Sequence, residues 1–350
     1  MALTLRVAGD RWRAHLRAVA DAHPGIVPVV KGNGYGFGKA SLARRSAWLG
    51  ADTVAVGTYV EVADVLQRFD GDVMVMTPWR PPVRGEQIPY DPRVVHTVGR
   101  TNDLLAMGED APAGTRVVAE GLTSMARHGF DRHALADAAA ALGRLRLQGF
   151  AVHLPMAGGR LDEAERWAAV LGASKLADRL ETPTLYVSHL TDTELSGLGE
   201  RRPGLTIRPR IGTALWLGDR GALRPTATVL DVHEVERGER VGYRQRAMPV
   251  AGHLVIVSGG TTHGIGLEAP TAASSLRQRA TSIAKGGLEA AGLALSPYTI
   301  GGKQRWFAEP PHMQASMLLL PRSVPPPEVG TEVAVAVRFT TTTFDAVTLS

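Results

Sequence analysis

Between residues 25 and 211 the sequence alternates short β-branched runs with stretches of helical period. The runs are GIVPVV (25–30), DTVAVGT (52–58), DVMVMTP (72–78), RVVHTV (93–98), TRVVAE (115–120), LQGFAVHL (147–154), TLYVSHL (184–190) and LTIRPRI (205–211). Each has the length of a strand, and their apolar character suits strands covered on both faces. Several of the intervals, among them KASLARRSAWLG, EVADVLQRF, DRHALADAAAALGRL and DEAERWAAVLGASKLADRL, repeat apolar residues every three or four positions. Eight such units predict an α/β fold, a (β/α)8 TIM-type barrel over residues 1–222. An open doubly wound sheet meets the same alternation, because the pattern carries no strand order. After residue 222 the rhythm changes. ATVLDVHEVERGERVGYRQRAMPVAGHLVIVSGG and GTEVAVAVRF read as strands joined by turns. They predict a C-terminal, mostly β domain over residues 223–350, with one helix in ASSLRQRATSIAKGGLEAAG and a Pro-rich connector, PRSVPPPEVG.

Composition removes several classes of function. Cysteine is absent, which excludes disulfides and thiolate metal sites. Histidines such as His263 and His312 lack paired ligand spacing, so no metal is expected. The N-terminal MALTLRVAGDRWRAHL has no apolar centre of the secretory kind, and no apolar run reaches the ~18 residues of a membrane span. A cytoplasmic protein without a membrane partner is expected. Net charge is +5, but the basic residues are dispersed and aromatic residues form only 5% of the chain, so no nucleic acid partner is indicated.

Arginine supplies most of the positive charge. Lysine is confined to Lys31, Lys39, Lys175, Lys285 and Lys303, and Lys31 stands at the tip of an apolar run, ahead of Gly32, Gly34, Gly36 and Gly38. Unlike arginine, a desolvated lysine can lose its proton and act as an amine nucleophile. Strand ends converge at one face of a barrel, and Lys31, Glu120, Arg127, His153, Thr191 and Arg210 all lie at or just beyond such ends. Glycines let a bulky ligand approach the backbone. An amine, arginines and backbone amides together suit pyridoxal 5'-phosphate, whose aldehyde condenses with lysine and whose phosphate accepts amide hydrogen bonds. A solvated surface lysine is the competing reading.

Six segments in order carry a family resemblance. VPVVKGNGYGFG resembles the VVKANAYGHG signature of alanine racemases, the fold-type III pyridoxal-phosphate enzymes. GLTSMARHGF is similar to their DTGMGRLGF, FAVHLPMA to THFA, RPRIGTALWLG to RFGIAMYG, ERVGYRQR to VGYG, and PHMQASM to CMDQLM. The resemblance implies a pyridoxal-phosphate-dependent amino-acid racemase. Lys31 then matches the Schiff-base lysine, which is also the base on one face of the substrate Cα. Tyr35 matches a phosphate-binding tyrosine, and Arg127 the arginine that meets the phenolic oxygen and the substrate carboxylate. His153 matches the histidine beside the ring. Gly212 and Thr213 match phosphate-binding amides, and Thr191 falls where the family has a phosphate-binding serine. Arg210 matches the arginine facing the pyridine nitrogen. Arginine stays protonated, so it donates a hydrogen bond without giving up a proton, which leaves the ring a weaker electron sink. Tyr243 matches the second catalytic base and Met313 a substrate-side residue. In the family that tyrosine comes from the other subunit, so a head-to-tail homodimer is implied.

The departures are also informative. Glu120 stands where the family often has a carbamylated lysine. This replacement of anion by anion predicts a charge-assisted pair in which Glu120 orients Arg127. The family's GYADG loop is replaced by SGGTTHGIG (258–266), which puts Thr261 at the entryway tyrosine and adds His263. Gln314 replaces the aspartate of MDQ. The cofactor residues persist while the substrate gate does not. Three readings compete: an amino-acid racemase, a diverged pyridoxal-phosphate protein with another amino-acid substrate or little racemase activity, and a non-enzymatic basic binding module.

Overall fold

The computed structural model describes residues 2–82, 87–267 and 294–350. The expected helix in ASSLRQRATSIAKGGLEAAG lies outside the described residues. The chain opens with β1 (Leu3–Val7) and a helix, Gly9–Ala22. Parallel strands follow: β2 (Val27–Pro28), β3 (Thr53–Val56), β4 (Asp72–Val75), β5 (Val94–Val98), β6 (Arg116–Gly121), β7 (Arg146–His153), β8 (Thr184–Ser188) and β9 (Thr206–Ile211). Each coincides with one of the apolar runs read from the sequence, β6 and β7 extending one residue beyond theirs. They pair in the order β2-β9-β8-β7-β6-β5-β4-β3. A bridge between Val29 and Ala55 joins the two ends, with Val30 N–H donating to the Ala55 carbonyl at 2.7 Å. The ring is nearly closed at this bridge, which excludes the open doubly wound sheet.

Side-chain alternation along each strand sorts the barrel into two layers. Val27, Val29, Ala55, Met74, Val118 and Ala151 share a buried cluster inside the ring. Their neighbours, such as Val117, Ala119, Phe150 and Val152, face outward onto Leu104, Ala138, Ala164 and Trp167 of the helical layer. Each fully buried aliphatic or aromatic side chain contributes about 1.5–3 kcal/mol. Gly121 lets the helix Arg160–Gly172 close on β6, because a Cβ there would lie 2.6 Å from the Trp167 ring. The same alternation aims the functional residues. Lys31 continues the inward row of Val27 and Val29, Glu120 that of Val118, and His153 that of Ala151.

The chain separates into two compact units. One contains Ala14–Gly34 and Gly38–Gly218; the other contains Met1–Arg13, Tyr35–Phe37 and Asp219–Ser350. The start of the chain, assigned from sequence to the barrel, thus groups with the second unit. There β1 lies antiparallel to β10 (Leu223–Val235). A hairpin of β11 (Arg240–Val241) and β12 (Arg246–Ala247) precedes β13 (Gly252–Ser258), β14 (Leu295–Ile300), β15 (Lys303–Phe307), β16 (Ala315–Pro321), β17 (Glu332–Val335) and β18 (Ala346–Leu349). The long β10 bonds both β17 and β13, which closes an antiparallel barrel around Leu3, Val255, Tyr298 and Leu318. Among the described residues, no helix is long and apolar enough to cross a membrane.

Candidate active site

Beyond β2 the backbone turns sharply, and Gly34 N–H donates to the Lys31 carbonyl at 3.0 Å. Gly34 has φ +64, and a Cβ there would meet the Lys39 amide nitrogen at 2.6 Å, so the turn requires glycine. Glu61, from the turn after β3, fixes the same segment. Its carboxylate accepts the N–H groups of Gly32 at 2.6 Å, Gly57 at 2.6 Å and Thr58 at 3.2 Å. Lys31 keeps a solvent-accessible side chain. Desolvation nevertheless lowers its pKa, Arg127 and Arg210 push the same way, and Glu61 opposes them.

The segment after β6 folds back on its own strand: Phe130 N–H donates to the Glu120 carbonyl at 2.7 Å and Leu122 N–H to that of Phe130 at 2.8 Å. Thr123 Oγ1 donates to the His153 carbonyl at 2.6 Å. Ser124 N–H and Oγ bond the Glu163 carboxylate at 2.5 and 2.6 Å. This held loop presents Arg127 and His128. Arg127 Nε donates to His128 Nε2 at 2.9 Å, and His128 Nδ1 lies 3.6 Å from Glu120 Oε2. The expected direct pair between Glu120 and Arg127 is therefore not formed, because the His128 ring stands between them.

Glu120 is buried, and desolvation raises its pKa against the pull of Arg210 and Arg127. Arg210 is buried as well. Its Nη2 donates to the Val152 carbonyl at 3.0 Å, and desolvation lowers its pKa while Glu120 opposes. His153 is pushed down to about 3, by desolvation first and then by Arg210 and Arg127. His128 is pushed down to about 4, by desolvation first and then by Arg127, Arg80 and Arg210. These imidazoles are neutral at pH 7, and the arginines carry the positive charge. Arg210 Nε, His153 Nδ1, Glu120 Oε2 and His128 Nδ1 are buried without a hydrogen-bond partner. Native interiors seldom leave such groups unmet, since each costs about 1–3 kcal/mol. Arg210 and His153 lie within electrostatic range of Lys31, and Glu120 within range of Arg210, so these groups form one candidate polar site.

His189 has a left-handed φ of 67° and brings Nε2 to 3.3 Å from His153 Nε2. Thr191 caps the helix Asp192–Arg201, with its hydroxyl bonded to the Glu194 carboxylate at 2.9 Å. Gly212 and Thr213 begin the short helix Thr213–Leu217, which Trp216 docks by donating Nε1–H to the Val29 carbonyl at 2.8 Å.

The remaining candidates belong to the second unit. Tyr35 is buried there, and two residues further on Phe37 stacks on Trp12 with ring centroids 4.6 Å apart. Tyr243, Thr261, Met313 and Gln314 line one open cleft of about 640 Å³, together with Glu309 and His312. Tyr243 is 85% exposed and Met313 68%. Thr261 N–H bonds the His312 carbonyl at 2.8 Å. His263 is buried and tied to Asp345 at 3.0 Å, so it joins the loop to the chain end. Among the described residues, no group of three or more side chains is placed to hold a metal ion.

The family model described as "Alanine racemase, N-terminal domain" matches residues 7–216. The chain belongs to the alanine racemase family. Solved structures agree on the fold at low identity. Alanine racemase from Bacillus anthracis with bound L-Ala-P superposes with a TM-score of 0.68 at 17% identity, covering 96% of this chain and 86% of that one. Alanine racemase from Bartonella henselae with covalently bound pyridoxal phosphate gives 0.66 at 15%, covering 97% and 91%. Histidine racemase from Leuconostoc mesenteroides gives 0.62 at 17%, covering 96% and 88%. No curated protein matches the sequence.

Within this alanine racemase fold, Glu61, His128, His189, Glu309 and His312 were not singled out as site residues from sequence. Thr58 and Glu61 have the spacing of a capping box, which was a usable signal. His128 adjoins Arg127 in RHGF, and His189 ends its strand run, but nothing in their spacing declares a role.

Proposed function

We propose that the chain is a pyridoxal-phosphate-dependent amino-acid racemase in which Lys31 and Tyr243 of the partner subunit serve opposite faces of the substrate Cα. The observation that carries this reading is the Lys31 amine at a converging strand end, with its pKa lowered by desolvation, Arg127 and Arg210. The residues present fit the cofactor. Lys31 offers the amine for covalent attachment, Arg210 Nε and His153 Nδ1 are unmet polar atoms of residues within electrostatic range of it, and Arg127 supplies a cation. Tyr35, Thr191, Gly212 and Thr213 complete the set that would hold it. When bound, pyridoxal phosphate supplies an electron-withdrawing ring that acidifies the Cα proton.

The lowered pKa favours the neutral Lys31 amine, the form that can take up a proton on one face. Arg127 is the cation for the substrate carboxylate, and the family resemblance makes Met313 a further substrate-side residue. Inversion at Cα needs acid–base groups on both faces. The exposed Tyr243 phenol suits donation to a second copy in a two-fold, head-to-tail homodimer. A second reading, the same cofactor with another amino-acid substrate or little racemase activity, is favoured by Thr261 and Gln314 in the Tyr243 cleft. Solvent-deuterium exchange at Cα, screened across amino acids, tests both. Exchange with racemisation of at least one amino acid supports the first reading. Exchange with retention of configuration favours the second, and no exchange despite bound cofactor rejects the racemase.

A further inference from the structure

Tyr243 projects from the turn between β11 and β12, and exposed rings generally populate several rotamers of similar energy. Here the ring has a seat. It rests on the His312 imidazole, with centroids 4.5 Å apart and planes at 46°. His312 is itself held: its Nε2 lies 2.6 Å from Glu309 Oε1, and its backbone N–H donates to the Ala315 carbonyl at 2.9 Å. Glu309 is only 2% exposed, and the same Oε1 accepts the Tyr243 backbone N–H at 3.3 Å. Gly242 makes room for this carboxylate, since its φ is 74° and a Cβ there would fall on the Glu309 carboxyl group. One buried carboxylate thus fixes both the backbone of Tyr243 and the imidazole under its ring. A buried carboxylate is costly unless it is paired, and a platform that only filled space would be better made from apolar residues.

We propose that Glu309 and His312 are positioning residues for Tyr243, holding the phenol in the one orientation in which it exchanges a proton with the substrate Cα. This rests on the reading of Tyr243 as the second base. General acid–base transfer requires the donor and acceptor within hydrogen-bond reach, so an exposed tyrosine that turns freely would spend most of its time out of range.

Two measurements test it. With 3-fluorotyrosine placed at position 243, the fluorine resonance reports the ring's surroundings whatever reaction the protein catalyses. His312→Ala and Glu309→Gln should each shift it by more than its line width; an unmoved resonance in His312→Ala overturns the seat. Because Glu309 is buried, His312→Ala carries the test if Glu309→Gln does not fold. The second measurement is Cα deuterium exchange of each substrate enantiomer by the holoenzyme. His312→Ala should slow the enantiomer that Tyr243→Phe slows by at least about tenfold, and the other by less than about twofold. Equal loss for both enantiomers would mean general scaffolding and overturns the proposal. A wild-type chain that exchanges no amino acid rejects the racemase reading and this catalytic role with it, whereas the fluorine result still reports on the ring's seat.

Discussion

Replacing Glu61 with alanine tests how the Lys31 turn is held. The carboxylate accepts short bonds from Gly32 and Gly57 at 2.6 Å and a longer one from Thr58 at 3.2 Å. Glu61 is 7% exposed and shields these donors, although Gly32 and Thr58 are themselves exposed and Gly57 is half-buried. Hydrogen bonds to a charged group contribute about 1.5–3 kcal/mol each, so losing the two short ones costs about 3–6 kcal/mol. Water entering from the Lys31 side would move the loss toward the lower figure. Urea unfolding at pH 7 should show a lower midpoint with an unchanged slope. Glu61→Gln should fall between wild type and Glu61→Ala, since its amide keeps one acceptor oxygen. The same change removes the one neighbour that raises the Lys31 pKa, so labelling of the amine should extend to lower pH. A Glu61→Ala protein within about 0.5 kcal/mol of wild type, the range of an ordinary surface substitution, would refute the reasoning.

Three further outcomes are expected. His96 is fully buried, and desolvation pushes its pKa down to about 4 from 6.5. The unfolded chain therefore takes up the proton first, and stability present above pH 6.5 is lost as the pH falls toward 4, by about 3 kcal/mol. His96→Asn should reduce the difference in unfolding free energy between pH 7 and pH 4 by that amount, and an unchanged difference would count against it. Gly34→Ala should lose about 1–2 kcal/mol from its left-handed φ alone, with a further loss from the clash at Lys39, read as a fall in melting temperature together with weakened binding of pyridoxal phosphate. Lys31→Ala and Tyr243→Phe should each be nearly inactive in racemisation, but mixed and re-associated they should recover roughly a quarter of wild-type activity, because about half of the dimers are hybrids with one intact site of two. No recovery despite subunit exchange would show that Tyr243 does not act across the interface.

The barrel was legible because each strand announces itself locally. GIVPVV or DVMVMTP can be read without knowing its partner, and the chain order of strands in a (β/α)8 ring is also their order around it. Closure was not legible, since it depends on Val29 meeting Ala55. Nor was the membership of β1. LTLRV lies outside the βα rhythm, and its partners in β10 and β18 are far along the chain. Lys31, His153 and Arg210 could be found because strand ends are predictable places. The partner of Glu120 could not. Charge complementarity pointed to Arg127, but the loop from Gly121 to Phe130 returns to β6 and places the His128 ring between them. Glu309 and His312 flank two prolines, and only the folded second unit brings them beneath Tyr243.

The central claim is that Lys31 carries the cofactor, and peptide mapping after reduction tests it most directly. The purified chain is incubated with pyridoxal phosphate, reduced with borohydride and digested, and the modified lysine is located by mass. The phosphopyridoxyl group should appear on Lys31 and be absent from the same peptide region of Lys31→Ala. A stoichiometric adduct on another lysine, such as Lys39 or Lys303, with Lys31 unmodified would contradict the claim.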